Sequence, residues 1–243
     1  MTIRWAKRCK EAHAIILSAV EGSRGSTSTL SQQGSSTPLR SARNEHHTGQ
    51  LFGIIQGGTF EELRRESAQA IVELDFDGYA IGGVSVGEPE EEMKRAVESA
   101  EPFLPPDKPR YAMGLGTPPQ LLEMIARGMD MFDCVLPTRL ARNGTAFSVT
   151  GTLNLKNAEF AMDQRPIEQN CSCEACRGFS RGYIRHLIKA EEILGIRLIT
   201  LHNLHFYLNL MRRARTEIEK GKFDCFRKGF VTEYKTRSAI ERL

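Results

Sequence analysis

No run of 18 apolar residues occurs in the 243-residue chain, which argues against a membrane-crossing helix. A secretory leader is not expected either. Basic residues precede an apolar stretch in "MTIRWAKRCKEAHAIILSAV", but the stretch is short and lacks a small-residue cleavage site. Cytoplasm is the expected compartment. Net charge is small, only +3, although it is unevenly spread. Residues 1–50 carry 7 basic and 3 acidic side chains, net +4; residues 51–133 carry 7 and 16, net −9; residues 134–243 carry 19 and 11, net +8. A basic C-terminal part suits a polyanion such as nucleic acid. A solvated helix surface accounts for the same charge. The apolar fraction, 40%, is enough for a sizeable core in one large domain or two small ones.

The six cysteines are Cys9, Cys134, Cys171, Cys173, Cys176 and Cys225, three of them in "NCSCEACR". Structural disulfides are rare in a reducing compartment, and pairs this close strain disulfide geometry. Zinc thiolate ligation is the better reading, and tetrahedral zinc needs a fourth ligand. His186, His202 and His205 are the candidates. "SRGYIRHLIKAEEILG" has helical spacing and is expected to end at Gly195, and "NLHFYLNLMRRARTEIEKG" to form a second helix stopped at Gly221. His202 would lie at the start of that helix, where the chain turns back, and is favoured. The plainer alternative is a group of free thiols beside an unrelated histidine. Four protein ligands leave no open position, so the metal would be structural, one Zn2+ per chain.

Short apolar runs recur upstream, each followed by a loop and a helical pattern. "LFGII" precedes "QGG", "GYAI" precedes "GGVSVGE", "RYAMGLG" precedes "TPPQLLEMIARG", and "MDMFDCVL" precedes "PTRLARNG". Helices are expected over residues 59–74 and about 89–100, with Thr117 capping a third and Pro118 in its first turn. This is βα repetition, as in a parallel sheet with helices outside. The unusual residues, Gln56, Gly57, Gly58, Gly82, Gly83, Gly114, Gly116 and Asp133, follow the strands. In a (β/α)8 barrel that is the C-terminal face, where active sites sit; a doubly wound sheet gives the same local pattern. "GTAFSVTGTLNLKNAEF" alternates around Thr150-Gly151 and reads as a hairpin.

"FGIIQGG", "GYAIGGVSVGE", "MGLGTPPQ", "MFDCVLPTRLARNG" and "CSCEAC" with a downstream "HN" occur in this order. Together they resemble the tRNA-guanine transglycosylases, from about Leu51 to Arg237, with a weaker match at "IRWAKRCKEAH". The resemblance implies an α/β fold: the C-terminal part of a (β/α)8 TIM barrel with an attached zinc-binding subdomain. Residues 1–17 would be a barrel helix, 18–50 a disordered linker, 51–142 the last four βα units, 143–205 the zinc subdomain and 206–243 a C-terminal helical region. It also implies exchange of the tRNA wobble guanine for 7-aminomethyl-7-deazaguanine in queuosine biosynthesis. Asp133 would be the nucleophile. Gln56, Gly82 and Gly83 would read the guanine-like edge, with Tyr111 and Met113 beside the base. Residues Gly114, Leu115, Gly116, Thr117, Pro118, Pro119 and Gln120 look like the tRNA-contacting loop. Thr138, Arg139, Leu140, Ala141 and Arg142 look like the wobble-recognition segment. Cys171, Cys173, Cys176 and His202 match the zinc ligands, and Val86 fits the smaller incoming base.

The chain departs from the family pattern in two ways. About four βα units are present where a barrel has eight, and the two further aspartates of the family have no counterpart. Residues 18–50 are rich in Ser, Thr, Gly and Gln, a linker composition, which makes His46 and His47 linker residues. A half barrel leaves open strand edges, so the expected partners are tRNA, the purine bases, and either a second copy or a chain completing the barrel. The competing reading is a non-catalytic zinc-containing tRNA-binding subunit. A barrel glycoside hydrolase, with Glu88 as second carboxylate, fits the cysteines and the basic end less well.

Overall fold

The computed structural model describes residues 3–11, 49–83 and 87–234. The expected linker, apart from residues 49–50, and Val86 lie outside them. The chain divides into two compact units. The first comprises Met1–Met113 and Met129–Met131, and the second Gly114–Gly128 and Phe132–Leu243.

The first unit contains a helix at residues 3–11 (α1). Strand β1 (Phe52–Ile55) is followed by α2 (Glu61–Val72), β2 (Gly78–Ile81) by α3 (Glu90–Ala100), and then comes β3 (Arg110–Ala112). Strand β4 (Met131–Phe132) completes the sheet order β1-β2-β3-β4. β1 pairs with β2, and β2 with β3, in parallel, with Phe52 opposite Gly78 and Tyr79 opposite Arg110. All four residues of β2 are buried, as befits an inner strand covered on both faces. Ile55, Ile71, Tyr79, Ile81 and Val97 make up its core. Two glycines permit close packing: a Cβ on Gly78 would run into the Phe52 ring, and one on Gly53 into Ile71 and Phe76. The expected βα alternation and parallel pairing are therefore present.

The second unit holds α4 (Pro118–Ile125), α5 (Leu136–Arg142), the hairpin β5 (Thr145–Ser148) and β6 (Gly151–Asn154), α6 (Glu174–Gly178), α7 (Arg181–Lys189), α8 (Ile193–Glu219) and α9 (Phe223–Glu233). Thr117 caps α4 as expected, in a capping box with Gln120, and Pro118 opens the helix. The hairpin is antiparallel, Ser148 opposite Gly151.

α8 organises this unit. At 27 residues it spans about 40 Å and passes through two cores. Leu198 and Ile199 join Phe160, Ile167, Ile184 and Leu187. Phe206, Tyr207, Leu210 and Ala214 join Leu122, Leu140, Phe147 and Phe230. At its far end Gly221, with φ +66°, follows the Lys220 cap, so the stop expected there is present. The break before α8 is not where the sequence pattern puts it. α7 ends at Lys189, the chain reverses through Glu191 at φ +58°, and Gly195 lies buried inside α8. A Cβ there would come within 3.0 Å of Leu187 and 3.1 Å of Ile188. Gly195 serves close helix packing, not helix termination.

Candidate metal centre and active-site segments

The metal centre is assembled within the second unit. Cys173 is the N-cap of α6, and its Sγ accepts a hydrogen bond from the Cys176 amide at 3.4 Å. That turn brings Cys176 back beside Cys173. His202 comes from α8, as its tenth residue rather than at the helix start that the sequence pattern suggests. Its Nδ1 lies 3.7, 3.6 and 3.3 Å from the sulfurs of Cys171, Cys173 and Cys176. The four ligand atoms all lie within 4.8 Å of one another. Around tetrahedral zinc, with its usual bond lengths, a sulfur–nitrogen edge is roughly 3.6 Å. The donor set therefore fits a zinc-sized ion, and three soft thiolates with one imidazole are the ligands zinc favours. Among the described residues it is the one such group. His186 and His205 are outside it; His205 Nε2 lies 3.3 Å from the Ser172 hydroxyl.

The ionisation of this set reflects its crowding. The hydrogen bond from the Cys176 thiol pushes the Cys173 thiol down, and the same bond, with burial, pushes Cys176 up. Burial works against charge on His202, but hydrogen bonding to Cys171, Cys173 and the Phe147 carbonyl raises it to about 9. A bound dication would take the place of these protons.

An outer layer aims the imidazole. His202 Nε2 lies 2.7 Å from the Phe147 carbonyl oxygen. Donation there leaves Nδ1 bare for a metal. The neighbouring Asn203 is fully buried. Its Nδ2 donates to the carbonyls of Pro137 and Thr145 at 2.9 and 3.1 Å, and its Oδ1 accepts from the Phe147 amide at 3.0 Å. Successive residues of one helix thus satisfy the outward-facing backbone of β5 and the entry to α5. The "HN" pair is visible in the sequence, but the partners of Asn203 lie 56 to 66 positions away.

The Asp133 segment also belongs to the second unit. Asp133 is exposed, and its Oδ1 accepts from the Gly114 amide at 2.7 Å. Gly114 has φ +71°, a conformation natural to glycine. A Cβ on Gly116 would fall 1.6 Å from the Cys134 sulfur, and the buried Tyr207 hydroxyl donates to the Gly116 carbonyl at 2.5 Å. The 114–120 segment is therefore built tightly around residues 133–134. Leu115, Gly116 and Pro118 are buried, Pro119 is half-buried, and Thr117 and Gln120 bond to each other. In α5, Leu140 and Ala141 face the core, Thr138 is half-buried, and Arg139 and Arg142 are exposed.

Gln56, Gly82, Gly83, Tyr111 and Met113 fall in the first unit. Gln56 follows β1, with its amide nitrogen bonded to the Ser67 hydroxyl at 3.1 Å. Its side-chain amide lies over the two glycines after β2. A Cβ on Gly82 would come 2.7 Å from Gln56 Nε2, and one on Gly83 2.8 Å from Oε1. Gly83 has φ +67°. Tyr111 and Met113 are half-buried. Beneath Gly82 and Gly83 lies Arg64, a residue on an ordinary charged helix face by sequence pattern.

No described helix is long and apolar enough to cross a membrane. The chain matches the family described as queuine tRNA-ribosyltransferase over residues 1–236. Proteins named queuine tRNA-ribosyltransferase from Staphylococcus aureus strains JH9 and MW2 are each 51% identical to it over 233 residues, covering 96% of this chain and 54% of theirs. The chain thus spans about half the length of the curated relatives it matches. A family match over nearly every residue, joined to a Cys3His centre of the expected composition, means that the protein belongs to the queuine tRNA-ribosyltransferase family.

Proposed function

We propose that the chain carries the base-exchange chemistry of a tRNA-guanine transglycosylase, with Asp133 as nucleophile. The observation that carries the reading is the exposed Asp133 carboxylate, anchored through one oxygen by the Gly114 amide in a glycine-bearing loop. An anchored carboxylate at a strand end suits attack on an anomeric carbon with oxocarbenium character. A carboxylate oxygen bonds to the ribose C1′, and the bond from C1′ to the wobble guanine breaks, the base leaving with the electron pair. The incoming 7-deazaguanine then displaces the aspartate through its ring nitrogen and gives up that nitrogen's proton to solvent, which balances the proton the expelled guanine takes from solvent. Two displacements at one carbon retain its configuration.

Gln56, Gly82 and Gly83 read the base edge, and Tyr111 and Met113 flank the ring, where apolar and π surface suits a heterocycle. The exposed Arg139 and Arg142, three residues apart on α5, contact tRNA phosphate or base edges, and residues 114–120 line the tRNA beside them. The metal is structural zinc. It is held by Cys171, Cys173, Cys176 and His202 and stiffens the 143–205 subdomain; it takes no step in the exchange. Residues 51–142 supply the last four units of a (β/α)8 barrel, and the protein works in the cytoplasm. The choice of 7-aminomethyl-7-deazaguanine rests on the family resemblance at Val86, outside the described residues.

The test is incorporation of labelled guanine into unmodified tRNA by the zinc-loaded chain. Asp133→Asn is expected to abolish it, together with a protein–RNA adduct that survives denaturation. Equal incorporation by Asp133→Asn refutes the nucleophile. A folded wild-type chain that binds tRNA but releases all of it on denaturation, with no label incorporated, supports the binding-subunit reading instead.

A further inference from the structure

Arg64, in the first turn of α2, has no solvent exposure. Its guanidinium stays charged in proteins, so burial is costly unless its donors are taken up. Nε donates to the Gly58 carbonyl at 2.6 Å, and Nη2 to the carbonyls of Gly82 and Gly83 at 2.9 and 3.3 Å. Nη1 is buried with no partner among the described residues. Burial pulls the guanidinium pKa down, while the charge of Glu88 acts to hold it up. One buried cation therefore joins the loop after β1 to the loop after β2. Gly57 allows this approach, since a Cβ there would lie 2.7 Å from the Arg64 amide nitrogen.

The consequence lies on the other side of one peptide group. The Gly82 carbonyl and the Gly83 N–H belong to the same planar unit, and no described peptide is cis. In a trans peptide these two groups point in opposite directions. Holding the carbonyl on Arg64 turns the Gly83 N–H away from it. A cation on the carbonyl also polarises the amide and strengthens its N–H as a donor. Guanine offers O6 and N7 as acceptors, but a 7-deazaguanine has carbon in place of N7. On that edge the acceptor common to both bases is O6.

We infer that Arg64 is a positioning residue for purine recognition, fixing the Gly82–Gly83 peptide so that the Gly83 N–H donates to the 6-oxygen of the base. This rests on the reading of Gly83 as a contact to the base edge. It assigns the specificity for a 6-oxopurine to a side chain that does not itself touch the base.

The experiment compares binding of guanine and of 2-aminopurine, which lacks the 6-oxygen, to the wild-type chain and to Arg64→Lys. Lysine keeps the charge but loses the fork that spans both loops. Guanine affinity is expected to fall about 10- to 100-fold, the loss of one charge-supported hydrogen bond, with 2-aminopurine changing less than about 3-fold. Arg64→Gln gives the same comparison if the lysine variant does not fold. A merely structural arginine would weaken both purines alike, and that result, or unchanged guanine binding, overturns the inference while wild-type guanine binding stands. A wild-type chain that binds neither purine overturns the base-site reading and this inference together.

Discussion

Replacing Asn203 by leucine tests how the metal-bearing helix is tied to the rest of its unit. The two side chains are similar in size, so the main loss is polar. Three buried partners lose a hydrogen bond: the Phe147 amide and the Thr145 carbonyl are stranded, and the Pro137 carbonyl keeps only its place as a helical acceptor in α5. The amide orientation is unambiguous, since an N–H can only donate and a carbonyl only accept. None of these groups finds a partner in the hairpin. The Leu155 amide bonds to the Gly144 carbonyl, so by the alternation of an antiparallel ladder the polar groups of Thr145 and Phe147 point away from β6. The two stranded groups cost about 1–3 kcal/mol each, and with the carbonyl at the low end the sum is about 3 kcal/mol. At a urea dependence of about 2 kcal/mol/M the midpoint falls by about 1.5 M. The single tryptophan, Trp5, lies in the other unit and is exposed, so its fluorescence is a poor reporter. Cobalt–thiolate absorption of the Co2+-substituted protein follows the second unit directly. Asn209→Leu on the same helix is the control, expected within about 0.5 kcal/mol, because the hydrogen bond that Asn209 accepts from Arg212 is exposed. A midpoint shift under about 0.5 M for Asn203→Leu would refute the three-partner account.

The metal centre and the Asp163 carboxylate yield two more expectations. Cys176→Ser is expected to weaken Zn2+ binding by more than the 10- to 100-fold typical of outer-shell changes, measured by competition with a chelator. Because thiols must shed protons to bind, affinity weakens as pH is lowered in the wild type; a pH-independent affinity would exclude thiolate ligation. Asp163 accepts hydrogen bonds from Arg165 at 2.7 and 2.9 Å and from Arg181 at 3.3 Å, which holds its carboxyl well below the ordinary range. A depressed folded pKa stabilises the protein above the unfolded value of about 3.9, and this is lost as pH falls toward the folded value. Asp163→Asn is therefore destabilising near neutrality, and its gap from wild type narrows below about pH 4. A gap that stays constant in urea unfolding down to about pH 2.5 would rule this out.

What could be read in advance was local or periodic. The strand–loop–helix repeats, the Thr117-Pro118 start of α4 and the 145–154 hairpin each follow from residues within a few positions of one another. So does the cysteine triplet, whose spacing points to zinc, and tetrahedral zinc calls for a fourth ligand. Chain folding made the remaining decisions, because they depend on partners far apart in sequence. Three histidines have the right chemistry, and the sequence favours His202 as the residue at a helix start; the path of α8 instead brings it from inside that helix to cysteines 26 to 31 positions away. Gly195 carries the sequence mark of a helix end, yet the approach of α7 makes it a packing residue. Tyr207 reaches back 91 positions to the Gly116 carbonyl. Arg64 looks like one more charge on an amphipathic helix until β1 and β2 pair and enclose it under three carbonyls. Residue type and spacing determined which chemistry the chain carries. Tertiary structure decided which copies of each residue type are buried and brought together, because the cost of burying a charge or a polar group is met only by partners that folding delivers.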